Sequence, residues 1–133
     1  MAAAVYSIYI DRQNAGTDDF LTSNVKCVAV DTADYTFSAA HQDLADVPAG
    51  ARVATSGNLA SKTVSGGVYD AADFTFTGVS GDQFEALIYY IDTAVEATST
   101  LICYDDGISA TTPDGGNINV TINASNGIMK IPA

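Results

Sequence analysis

Tryptophan is absent from this 133-residue chain, histidine occurs once, and lysine and arginine together number five. Each shortage closes off a class of function. Without tryptophan there is no broad indole face to stack on a sugar ring. A single histidine, His41, leaves one imidazole for acid–base chemistry near neutral pH. A triad or dyad also needs a nucleophile and an orienting acid beside that base. Ser38 and Asp43 neighbour His41 in sequence only, within SAAHQDLAD, so His41 is expected to be a solvated surface side chain. The chain has no GxSxG, no Walker-type loop and no GxGxxG.

The five cations, Arg12, Lys26, Arg52, Lys62 and Lys130, are scattered among sixteen acids, and the formal net charge is −11. Binding nucleic acid requires clustered cations that displace counterions from phosphates. No such cluster exists, and an anionic membrane surface would repel the chain for the same reason. Nucleic acid and membrane are therefore not expected as partners. The charge favours solubility at high concentration. No apolar run reaches the roughly 18 residues of a membrane span. Met1 to Ala4 carry no positive charge and no long apolar segment follows. The reading expects no signal peptide and a protein kept in a cytosol before any assembly.

Cysteine is also scarce: Cys27 and Cys103 are the only two. Both lie in apolar, strand-like runs, so buried free thiols are expected rather than a disulfide. Their spacing excludes a compact metal knuckle.

What remains is a chain that is 47% apolar, long enough for one domain over residues 1–133 with a real core. The richest stretch runs from Tyr69 to Asp92. Phe74 and Phe76 alternate with polar residues, Val79 to Asp82 hold turn residues, and Phe84 to Ile91 is apolar on both faces. This predicts a hairpin at the centre of a sheet, since a strand apolar on both faces needs covering on both. Further strands are predicted at Val5 to Ile10, Val25 to Val30, Arg52 to Thr55, Lys62 to Val64, Leu101 to Tyr104, Asn117 to Asn123 and Ile128 to Ile131, with a short β segment at Tyr35 to Phe37. Gly66-Gly67 reads as the stop of a strand, and Asn126-Gly127 as a hairpin turn. Ala40, Leu44 and Val47 sit at helical spacing, and Thr17 to Leu21 can start one helical turn. The fold class expected is all-β: a β-sandwich, with a jelly-roll-like arrangement as one form it can take, of about eight short strands and one or two short helices.

Candidate chemistry is thin. Asp105, Asp106 and Asp114 could meet as calcium ligands, but EF-hand spacing is absent and turn chemistry is the expected role. The sequons at Asn119 and Asn123 carry no meaning without secretion. No catalytic, cofactor-binding or metal residue is assigned, no cofactor is expected, and the chain is read as a non-enzyme.

Several blocks stand together in order: VKCVAVDTADYTFS (25–38), DLADVPAGARVAT (43–55), KTVSGGVYDAADFTFTGVSGDQFEALIYYIDT (62–93) and TPDGGNINVTI (112–122). In these blocks the chain resembles a family of small tailed-bacteriophage virion structural proteins. The resemblance implies a structural role in the particle. Within that role the reading is a capsid decoration, or cement, protein on the outer capsid surface, made in the host cytoplasm. The implied partners are the major capsid protein and further copies of the chain, as homotrimer or homodimer. The alternatives are a tail, neck or fibre component, or a carbohydrate-binding β-sandwich. The chain departs from the family pattern at its opening, which lacks a helix-like start, and in NASNGIMKIPA, which replaces an aromatic-bearing end.

Overall fold

Strand β7, Ala86–Ile91, is buried along its whole length. It occupies the middle of a five-stranded antiparallel sheet with strand order β1-β8-β7-β2-β3. The computed structural model describes residues 4–130. Within it β1 is Ala4–Val5, β2 Val25–Val30, β3 Arg52–Thr55 and β8 Leu101–Asp105. A second sheet runs β10-β5-β4, with β4 Thr63–Ser65, β5 Val68–Asp70 and β10 Met129–Lys130. A third pairs β6, Phe74–Phe76, with β9, Ile118–Val120. One helix, α1, spans Ser7–Asn14. The protein is mostly β and sandwich-like, as the alternation predicts.

The pleat sorts β7 cleanly between two cores. Leu87, Tyr89 and Ile91 face a large cluster with Val25, Cys27 and Ala29 of β2, with Phe76 and Met129 of the smaller sheets and with Ile122 just past β9. Ala86, Ile88 and Tyr90 face the opposite side, with Val28 and Val30, under Tyr6, Tyr35, Leu44, Val47 and Ala51. The central sheet is therefore covered on both faces, by the two small sheets on one and by loops on the other. Each large apolar side chain so buried contributes on the order of 1.5–3 kcal/mol. A bulge between Tyr89 and Tyr90 slips the β7–β8 register. It lets Ile102 and Cys103, adjacent in sequence, enter the same core.

The predicted hairpin from Tyr69 to Asp92 does not form. β6 pairs with β9 rather than β7, and the residues from 77 to 85 cross between layers. Three hydrogen bonds draw that crossing onto the 115–117 loop: Val79 N–H to Gly116 O (2.9 Å), Gly115 N–H to Val79 O (2.7 Å) and Gly78 N–H to Asn117 Oδ1 (2.9 Å). The packing half of the expectation holds, because Phe76 still stands edge-on to Phe84, with ring centroids 6.3 Å apart. Phe84 itself lies outside β7. It bridges to Thr111 and joins the core of Leu87, not that of Ala86.

The opening differs more. Only Ala4–Val5 is strand, and the predicted strand from Val5 to Ile10 is mostly helix α1. Tyr6 and Tyr9, three residues apart, enter different cores. Tyr6 is the extended N-cap residue, with its N–H still bonded to Ile102 O at 3.0 Å, and the chain turns into helix only after it, which carries Tyr9 to the other side. The opening is thus helical after all.

Between residues 40 and 47 a helix was expected. Instead Leu44 N–H donates to Ser99 O (2.9 Å) and Leu101 N–H to Gln42 O (3.0 Å). Pairing with the start of β8 keeps residues 42–44 extended. Only a 3-10 turn, Leu44–Asp46, remains, closed by a reciprocal capping box between Asp43 and Asp46. Pro48 forbids continuation. Thr17 starts no helical turn; a single turn forms later, at Phe20 to Thr22, closed by Ser23 N–H to Asp19 O at 3.0 Å, and Tyr35 to Phe37 joins no ladder.

Gly66-Gly67 is a hairpin loop, not a stop. Both residues have positive φ, 59° and 81°, as the two-residue type I′ turn demands. The turn sets Val64 opposite Tyr69. Asn126-Gly127 turns the chain toward β5 rather than back onto β9. A Cβ on Gly127 would lie 2.3 Å from Tyr69 O, so only glycine fits that approach. Ile131, the predicted end of the last strand, lies outside the described residues.

Candidate functional site

The lone histidine is not a freely solvated side chain. His41 is half-buried, and its Nδ1 lies 2.8 Å from the Tyr35 hydroxyl. Tyr35 in turn meets the buried Tyr6 hydroxyl at 2.9 Å. This three-member chain runs from the surface into the second core, against Phe37 and Tyr104. Burial pushes the phenols of Tyr6 and Tyr35 upward, so both remain protonated donors. Ser38 and Asp43 take other work. The Ala40 N–H donates to Ser38 Oγ at 3.3 Å, and the Ala45 N–H to Asp43 Oδ1 at 3.1 Å. No serine–histidine–aspartate arrangement is assembled from these three.

The acids of the 105–114 loop fill turn roles. Asp105 Oδ1 accepts from Gly107 N–H and Asp114 Oδ1 from Gly116 N–H, both at 2.9 Å. The acids that do converge are Asp31, Asp34 and Asp82, whose carboxylate oxygens lie within 4.8 Å of one another. Asp82 arrives through the crossing segment, a juxtaposition that no local pattern announces. Asp31 Oδ1 already accepts from Ala33 N–H at 2.8 Å. Asp34 and Asp82 are exposed, and exposed acids commonly meet in this way without an ion between them.

Cys27 and Cys103 are free and buried, as expected. Burial pushes both thiols well up, which keeps them unreactive. Three cations are paired: Arg12 with Asp18 and Lys26 with Asp92 at 2.8 Å, and Arg52 with Glu96 at 2.9 Å. Lys62 stands over the Phe20 ring and donates to Ser23 O. These cations are tied to their own chain rather than gathered into a patch.

Two depressions matter for chemistry. One, of about 220 Å³, is lined by Leu87, Tyr89, Asp105, Ile122 and Asn126 beneath the last turn. The other, of about 350 Å³, is a cleft lined by Gln13, Asp18, Asp19, Phe20, Leu21, Val64 and Tyr69. Neither brings a nucleophile to a base. On the wet side of β9, Asn119 Oδ1 accepts from Thr75 Oγ1 at 2.8 Å, so part of that polar face is bonded internally. No helix among the described residues is long and apolar enough to cross a membrane. No protein-family model and no curated protein matches the chain.

Proposed function

We propose that this chain is a bacteriophage virion structural protein, acting as a capsid decoration protein on the outer shell. The observation that carries the proposal is the ordered set of blocks from Val25 to Ile122. The arrangement of the side chains is compatible with it. The described residues spend their polar groups on caps, turns and ion pairs rather than on a reactive centre. A net charge of −11 costs nothing to a protein that sits outside the shell, away from packaged nucleic acid. Its partners in this role are the major capsid protein and further copies of itself.

The test is quantitative protein analysis of purified particles, scaled to the major capsid protein. A copy number comparable with that of the shell subunit is the expected result. A small fraction of it would move the chain to the tail or neck. Absence from particles would overturn the virion role.

A further inference from the structure

We propose that the outer edge of β4, with the cleft beside it, binds a second copy of this chain by continuing the β10-β5-β4 sheet across a two-fold axis. β4 is an edge strand, exposed at all three residues, with no strand on its far side among the described residues. Its hairpin loop fixes which backbone groups are free. In a two-residue hairpin the residues flanking the loop form the hydrogen-bonded pair, and such pairs alternate along the ladder. Ser65 with Val68 and Thr63 with Asp70 therefore bond inward. The N–H and C=O of Val64 point outward.

The side chains suit a protein surface. Val64 is 41% exposed and Leu21 50%, two of the three large apolar residues left exposed among the described residues. Both line the same cleft with Phe20 and Tyr69.

Charge selects the occupant. Two molecules at −11 repel wherever their acids meet. From Val47 to Tyr69 the chain contains no acid, and β4 lies inside that stretch. Around the cleft, Asp18 is held by Arg12, and Asp19 lies near Lys62. The cleft is neutral on an otherwise acidic molecule, which is where two copies can approach at least cost. Two of the other edges are less suited: β10 carries Lys130, and β3 carries Arg52, already committed to Glu96. Charges on an edge are the usual defence against pairing. Pairing centred on Val64 is self-complementary. It sets Thr63 against the partner's Ser65 and Lys62 against the partner's Gly66, so no like charges face each other.

The inference does not rest on the virion reading and is tested on purified protein. Sedimentation velocity over a series reaching about 1 mM should show a monomer–dimer equilibrium. Val64→Asp and, separately, Leu21→Asp should each raise the midpoint concentration at least about tenfold with an unchanged melting temperature. Val95→Asp, at an exposed site elsewhere, should leave the midpoint where it was. A monomer throughout the series, or a dimer indifferent to Val64→Asp, would overturn the proposal and leave the particle stoichiometry still to be decided on its own.

Discussion

Deleting one oxygen from each of two tyrosines should have opposite effects. Tyr9 and Tyr6 are both fully buried. The Tyr9 hydroxyl has no hydrogen-bond partner among the described residues, whereas the Tyr6 hydroxyl bonds Tyr35 at 2.9 Å. A buried polar group without a partner costs about 1–3 kcal/mol in lost hydration. Tyr9→Phe removes that penalty and keeps the ring, so it should stabilise the fold by about 1 kcal/mol. Tyr6→Phe removes a made bond, while Tyr35 keeps His41. It should cost about 1 kcal/mol. The two variants would then differ by about 2 kcal/mol, or very roughly 8 °C in melting temperature for a chain of this size. Urea titration with an unchanged m-value is the assay, since an altered slope would signal a changed state rather than a changed contact. If Tyr9→Phe destabilises as much as Tyr6→Phe, the Tyr9 oxygen has a partner and the reasoning fails.

Two further predictions concern charge. Arg52 donates from Nε to Val47 O at 2.9 Å and from its η nitrogens to Leu44 O, at 2.7 Å, and to Glu96. Arg52→Met strands those carbonyls and should cost about 2–3 kcal/mol. Glu96→Gln touches only the exposed ion pair and should cost less than about 1 kcal/mol; equal losses in denaturant titration would mean the ion pair, not the carbonyls, matters. At alkaline pH, burial raises the phenols of Tyr6, Tyr9, Tyr35, Tyr89 and Tyr104, and pushes Tyr90 from 10.0 up to about 12. A folded value above the unfolded one means stability is full below pH 10 and lost as pH rises beyond it. For Tyr90 that window runs from about 10 to about 12. Tyrosinate absorbance should therefore lag behind free tyrosine and then rise together with loss of far-ultraviolet circular dichroism. Free titration of these tyrosines near pH 10 with the fold intact would contradict their burial.

The strands best legible in the sequence were those of the central sheet. β7 and β8 are apolar on both faces because both faces are covered, and a continuous apolar run is the local imprint of that burial; β2 departs from it only at Lys26, which pairs with Asp92. α1 was not legible. VYSIYI has the composition of a strand, and nothing in its local pattern announces the turn into helix after the extended Tyr6. The pairing of β6 was hidden for another reason. The spacing of Phe74 and Phe76 gives the face they share, but a partner beyond residue 110 is a long-range fact. The polar features divide the same way. Asp105 and Asp114 were readable as turn acids, since each bonds two residues onward. The Tyr6–Tyr35–His41 chain and the meeting of Asp82 with Asp31 and Asp34 depend on where loops cross. In the first, the Tyr6 and Tyr35 partners are 29 residues apart.

The row formed by Cys27, Tyr89 and Cys103 across three adjacent strands makes the protein indifferent to its redox surroundings. Two strand spacings put the cysteines roughly 9–10 Å apart, beyond the reach of about 7 Å that a disulfide allows. Neither oxidising nor reducing conditions can therefore rewire the native chain. Because neither sulfur is exposed, a thiol reagent can reach them only when the central sheet itself comes apart. The pair thus serves as an internal gauge of global opening, readable by a simple colour reaction without any added label.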